Sequence, residues 1–162
     1  MNYPIAILMA CLAATAATAQ DDPLVPTFIA ETDTGVTAIY AGETDYMVGG
    51  GVATFDCSGD TVPELFVAGG SDPAKLYRND SSIGGALKFS AIDGGVGLDK
   101  VLGAYPLDVD SDGILDLVVL RLGENVLMRG TGDCQFTRAN EDWGFDGGDA
   151  WSTAFAATFE KG

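Results

Sequence analysis

The sequence contains no histidine. That removes the commonest zinc ligand and the usual general base near neutral pH. Basic residues are scarce too: 8 Lys and Arg stand against 24 Asp and Glu, a formal net charge of -16. Nucleic acid and anionic membrane surfaces reward Lys and Arg, so the balance argues against both as partners. Long apolar runs are missing beyond the first 19 residues, so no later stretch is expected to span a bilayer. Cysteine is sparse, with Cys11, Cys57 and Cys134 only. What is abundant is acid, glycine (22 residues) and, at 47%, enough hydrophobic content for a packed core. An acidic chain that is also this apolar is not a disordered one.

Residues 1–19 have the form of a secretory signal peptide. An apolar stretch ends in Ala17-Thr18-Ala19, a small-residue cleavage pattern, just before Gln20 and Asp21. The rival reading is an N-terminal membrane anchor, which the alanine-rich end disfavours. Cleavage predicts a secreted or periplasmic protein, discards Cys11, and leaves Cys57 and Cys134 where a disulfide persists.

The densest chemistry is Asp108-Val109-Asp110-Ser111-Asp112-Gly113-Ile114-Leu115-Asp116, directly followed by Leu117-Val118-Val119-Leu120. Carboxylates stand at positions 1, 3, 5 and 9 of this loop, with glycine at position 6. Ca²⁺ takes 6–8 hard oxygen ligands, and such a loop wraps side chains and one backbone carbonyl, that of Ile114, around it. The bland alternative is a solvated acidic turn, whose crowded like charges resist closure without a cation. An EF-hand needs Glu at position 12 and a helix after it. Position 12 is Val119, inside a β-favouring run, so the loop feeds a strand.

The same pattern occurs earlier, in weaker form, 52 residues before. Asp56, Ser58, Asp60 and Glu64 fill positions 1, 3, 5 and 9, Val62 offers the carbonyl, and Leu65-Phe66-Val67-Ala68 follows. Position 6 is Thr61, while a glycine, Gly59, stands at position 4. With three carboxylates instead of four, this loop is expected to bind metal more weakly. Around each loop the order reads strand, acidic loop, strand, turn, strand, turn, strand, and Tyr77-Arg78 matches Met128-Arg129. Phe28, Phe89 and Phe136 each open a short segment read as a strand leaving a repeat. Counting on by the same period reaches Ala157-Thr158-Phe159-Glu160, which mirrors Ala53-Thr54-Phe55-Asp56. Four short antiparallel strands repeating about every 50 residues predict β-propeller blades. An ordinary β-sandwich is the alternative.

The Asp108–Asp116 and Asp56–Glu64 loops, Leu76-Tyr77-Arg78-Asn79, and Gly147-Gly148-Asp149-Ala150-Trp151-Ser152-Thr153-Ala154-Phe155 carry a family likeness. Over residues 28–162 the chain resembles the FG-GAP/VCBS repeat proteins, and more closely their exported bacterial CRTAC1-like, ASPIC/UnbV-associated group. The resemblance implies a propeller with Ca²⁺ between the first and second strands of a blade. Carried over residue by residue, the ligands are Asp108, Asp110, Asp112, Ile114 and Asp116, then Asp56, Ser58, Asp60, Val62 and Glu64. Thr61 departs from the loop glycine, and Gly162 stands where a third loop would need an oxygen ligand.

The resulting organisation is a signal peptide at 1–19, a lead with an outer strand at 20–48, repeats at 49–99 and 100–150, and the start of a third at 151–162. Two repeats do not close a ring of 4–8 blades. An N-terminal fragment of a longer chain is therefore expected, its remaining blades coming from the same chain; completion by another copy is the competing idea. In a four-stranded antiparallel blade the loop holding Cys57 and the turn holding Cys134 emerge at the same end. Neighbouring blades then predict a Cys57–Cys134 bond, the alternative being two free thiols. No nucleophile has a histidine to activate it, and every clustered carboxylate is spoken for as a ligand. A non-catalytic role in adhesion, recognition of a protein or glycan, or scaffolding is expected. The alternative is the N-terminal part of a propeller enzyme whose active site lies outside this chain.

Overall fold

Short runs rich in β-branched and aromatic residues, punctuated by glycine, form strands throughout the computed structural model, which describes residues 25–158. The chain divides into two compact units, residues 1–30 and residues 31–162. Of the first, residues 25–30 have no regular structure; the expected signal peptide lies outside the described residues. Among its described residues the second unit is all-β apart from one 3-10 turn at Thr44–Tyr46.

Its first sheet runs β1 (Val52–Phe55), β2 (Glu64–Val67), β3 (Lys75–Asn79) and β4 (Phe89–Ile92), neighbours in that order and all antiparallel. The second repeats the order with β5 (Val101–Leu107), β6 (Asp116–Gly123), β7 (Val126–Gly130) and β8 (Phe136–Arg138). A short β9 (Ala150–Trp151) adds to the end of β6, pairing Leu122 with Trp151. The two acidic loops are framed identically. Phe55 pairs with Glu64 across the first, and Leu107 with Asp116 across the second.

One face of each sheet builds the main core. Ala53, Phe55, Phe66 and Leu76 meet Leu117, Val119, Val126, Met128 and Phe136, with the Phe55 and Phe136 rings edge to face at 6.1 Å. β1 alternates exposed and buried because only one of its faces is covered. β6 is buried on both faces, which explains its unbroken Leu117-Val118-Val119-Leu120. Its far side packs Val118, Leu120 and Leu127 against Leu107, Trp143, Phe145 and Phe155.

The starts of β1 and β5 touch. Gly51 N–H donates to Leu102 O at 3.0 Å, and Gly70 N–H donates to Val101 O at 3.0 Å. A Cβ on Gly51 would stand 2.8 Å from Gly103 Cα and 2.9 Å from Leu102 O, closer than atoms pack. Glycine at this position is what lets the two sheets meet there.

Two expectations change. Phe89 and Phe136 do open strands, but residues 28–36 form none. The chain bends at Thr32 and again at Thr34 and Gly35, where Gly35 has φ +83°. One bond, Phe89 N–H to Thr34 O at 2.7 Å, replaces the ladder a strand needs. Of the expected third repeat at 151–162 only Trp151, the second residue of β9, is in a strand among the described residues. Residues 152–158 are irregular, and Phe159 and Glu160 lie outside the described residues.

Candidate metal centre

The Asp108–Asp116 loop is shaped by its own carboxylates. Asp108 accepts from Asp112 N–H through Oδ1 (3.1 Å) and from Gly113 N–H through Oδ2 (3.0 Å). Asp112 Oδ1 accepts from Ile114 N–H at 2.8 Å. Asp116, fully buried at the head of β6, accepts from Val109 N–H through Oδ2 (2.7 Å) and from Gly130 N–H through Oδ1 (2.8 Å). It thereby ties the loop to the end of β7.

These contacts bring one carboxylate oxygen each of Asp108, Asp110 and Asp116 within 4.8 Å of one another. Oxygens on opposite sides of a Ca²⁺ ion stand about 4.6–5.2 Å apart, so the spacing fits. Burial, with Asp110 and Asp112 adding to it, pushes the Asp116 carboxyl above its ordinary value, against the pull of the Val109 and Gly130 N–H groups. Three acidic side chains thus share one small volume, with the Arg129 guanidinium at its edge, 3.2 Å from Asp110. Asp112 stands outside this group, its oxygen spent on Ile114 N–H, and the Ile114 side chain is exposed.

The first loop takes the same backbone course with a different ending. Asp56 accepts from Gly59 N–H (2.7 Å) and Ser58 Oγ–H (3.4 Å) through Oδ1, and from Thr61 N–H (2.8 Å) through Oδ2. The Thr61 N–H leads the backbone donors that hold its carboxyl below the usual range. Asp60 Oδ1 accepts from Val62 N–H at 2.8 Å, mirroring Asp112 and Ile114. Glu64 Oε2 accepts from Cys57 N–H (3.0 Å) and Ser58 N–H (3.3 Å), while its buried Oε1 has no partner. Asp56, Asp60 and Glu64 do not converge as the later acids do. The carboxylate of Glu64 lies instead beside Cys57 and Cys134. Those two sulfurs are bonded to each other at 2.03 Å, so they carry no proton and offer no metal a thiolate.

Positions 4 and 6 are left-handed in both loops: Gly59 (φ +80°) and Thr61 (+72°), Ser111 (+62°) and Gly113 (+87°). Each loop places its glycine at one of the two positions and strains an ordinary residue at the other. A β-branched residue there costs roughly 1–2 kcal/mol, partly offset because glycine loses more entropy on folding. Thr61→Gly is therefore expected to stabilise the protein by about 0.5 kcal/mol net in urea unfolding. An unchanged or lowered midpoint would mean that the threonine is not strained.

Two side chains at the centre were not predicted as site residues. Arg129 Nε lies 3.2 Å from Asp110 Oδ2, and its guanidinium carbon sits 4.6 Å from the centroid of the Trp143 ring. The signal in the sequence is the match of Met128-Arg129 to Tyr77-Arg78. In the first repeat that arginine reaches Asp133, at 2.8 Å.

Two antiparallel four-strand units, each with an acidic loop between its first and second strands, define a tandem all-β repeat. The family of FG-GAP-like repeats matches residues 56–119, from position 1 of the first loop into β6, taking in both loops. No curated protein and no solved structure matches the chain.

Proposed function

We propose that this chain is a calcium-holding segment of an exported β-propeller, non-catalytic, serving adhesion, recognition or scaffolding. The observation that carries the metal is the convergence of Asp108, Asp110 and Asp116 around one point. Hard carboxylate oxygens at that spacing suit Ca²⁺; Mg²⁺ asks for a tighter octahedron and gives up water reluctantly. Asp108, Asp110 and Asp116 would hold the ion, with Asp112 and the Ile114 carbonyl as further oxygen donors. Its contribution is to neutralise the clustered acids and add folding free energy through linkage.

The first loop is the weaker candidate. The unpartnered Glu64 Oε1 favours a cation there, whereas the separation of Asp56 and Asp60 from it opposes one. The blade reading draws support from the repeated strand order, the face-to-face packing of the sheets and the contact between the starts of β1 and β5. The disulfide and the FG-GAP-like match favour an extracellular setting. The adhesive role and the closer kinship to the CRTAC1-like group rest on resemblance.

Calorimetry with Ca²⁺ on the full, oxidised chain tests the metal. Binding is expected, with Mg²⁺ competing poorly and Asp108→Ala weakening the affinity more than tenfold. Asp108 is the residue to change because its hydrogen bonds lie within the exposed loop. No binding heat, or binding untouched by Asp108→Ala, would sink the assignment.

A further inference from the structure

We propose that Arg129 sets the cation affinity of the Asp108–Asp116 loop and reports its occupancy to Trp143; this rests on the calcium reading above. The guanidinium already occupies part of the electrostatic role a metal would take. Its Nε is 3.2 Å from Asp110 Oδ2, yet that buried Nε has no hydrogen-bond partner. The contact is one of charge without directed N–H geometry, and such a contact gives way to a competing cation more readily than a bidentate pair does. A positive charge beside a ligand carboxylate repels an entering divalent ion. In a near-aqueous dielectric that repulsion is on the order of tenfold in Kd.

The two repeats supply an internal comparison. Arg78 and Arg129 stand at matching places in β3 and β7. Position 3 of the first loop is the neutral Ser58, and there the arginine leaves the loop and pairs with Asp133 in the β7–β8 turn. Position 3 of the second loop is Asp110, and there the arginine stays. The arginine thus pairs with its own loop where position 3 is acidic, and with the following repeat's turn where position 3 is neutral.

Trp143 makes the state of the arginine readable. The cation lies over its ring, and the same indole packs on the cluster of Val118, Leu120 and Leu127. A shift in the guanidinium changes the field at the ring and hence its emission. The only other tryptophan is Trp151, so Trp143→Phe identifies the source of any signal.

The test is a Ca²⁺ titration of the full oxidised chain, followed by calorimetry and by tryptophan emission. Arg129→Gln is expected to bind about tenfold more tightly than wild type at low ionic strength, the gap closing at about 0.5 M salt. Arg129→Lys, which keeps the charge, is expected within about twofold of wild type and controls for damage to the fold. The emission change on binding is expected to vanish in Trp143→Phe. If wild type binds but Arg129→Gln binds equally or more weakly, the guanidinium orients Asp110 or is inert, and the proposal falls while the calcium reading stands. If Arg129→Lys tightens as much as Arg129→Gln, charge is not the cause and the proposal also falls. If wild type gives neither heat nor emission change, the calcium reading fails and takes this inference with it.

Discussion

Replacing Cys57 and Cys134 together by alanine is expected to lower the unfolding free energy by about 4 kcal/mol. The bond spans a sequence separation of 77 residues. A cross-link closing a loop of that length removes about 4 kcal/mol of chain entropy from the unfolded state. On a domain of this size the melting temperature falls by roughly 15 °C. The loss has a local component as well, because the bond joins the first acidic loop to the β7–β8 turn, where Cys134 N–H also donates to Cys57 O at 3.1 Å. Asp133 and Cys134 both have left-handed backbones (φ +46° and +57°), and the link helps hold that turn in place. Equilibrium denaturation with and without reductant checks the number. A change below about 1 kcal/mol would mean that the unfolded chain is already compact or that the folded turn is strained by the bond.

Asp116→Ala is expected to cost about 3 kcal/mol in metal-free protein. Both carboxylate oxygens are occupied by backbone donors, Val109 N–H at 2.7 Å and Gly130 N–H at 2.8 Å. Removing the side chain strands the buried Gly130 N–H and leaves the half-buried Val109 N–H without its acceptor, at roughly 1–3 kcal/mol each, the Gly130 loss being the larger. Relief of the buried charge offsets part of that, since burial pushes the carboxyl upward. Asp116→Asn keeps one acceptor and is expected to cost about half as much. Urea unfolding in the presence of a chelator separates this structural loss from any loss of metal. If Asp116→Ala unfolds at the wild-type midpoint, the residue serves only as a ligand and its hydrogen bonds contribute nothing net.

The double duty of Asp116 shows where the sequence was readable. Alternating acids ahead of an apolar run announced a loop entering a strand, and the 52-residue spacing announced two similar sheets. The strand order follows, because short strands joined by glycine turns pair with their sequence neighbours. The disulfide was legible because it depends only on which loops leave the same end of the sheets. Which acids converge was less so. Nothing in the spacing distinguishes Asp112, turned to Ile114 N–H, from Asp110, turned inward. Glu64 accepts from Cys57 N–H as Asp116 accepts from Val109 N–H, so the two loops make the same closing bond, yet only the second brings three carboxylates together. Arg129 was invisible as a site residue because it is remote from the loop in sequence and is brought to it only by β7. The segment from Phe28 to Val36 reads as a strand from its likeness to the stretches that open at Phe89 and Phe136. A strand also needs a neighbour's edge along its length, and here a single backbone–backbone bond to Phe89 is what exists.

The two sheets are fastened at both ends of β1. At its start Gly51 bonds to Leu102, and just beyond its end Cys57 bonds to Cys134, with the Arg78–Asp133 pair nearby. A single fastening would leave a pivot about which one sheet rocks against the other. Two fastenings separated by the length of a strand remove that rotation, as two hinge pins set apart on a door remove its wobble. The cleft bounded by Asp56, Ser58, Gly59, Gly113, Ile114 and Asp133 lies between the two acidic loops. One wall of that cleft, the Asp56–Gly59 stretch, is therefore locked covalently to another, the Gly132–Asp133 turn, so these two move as one piece.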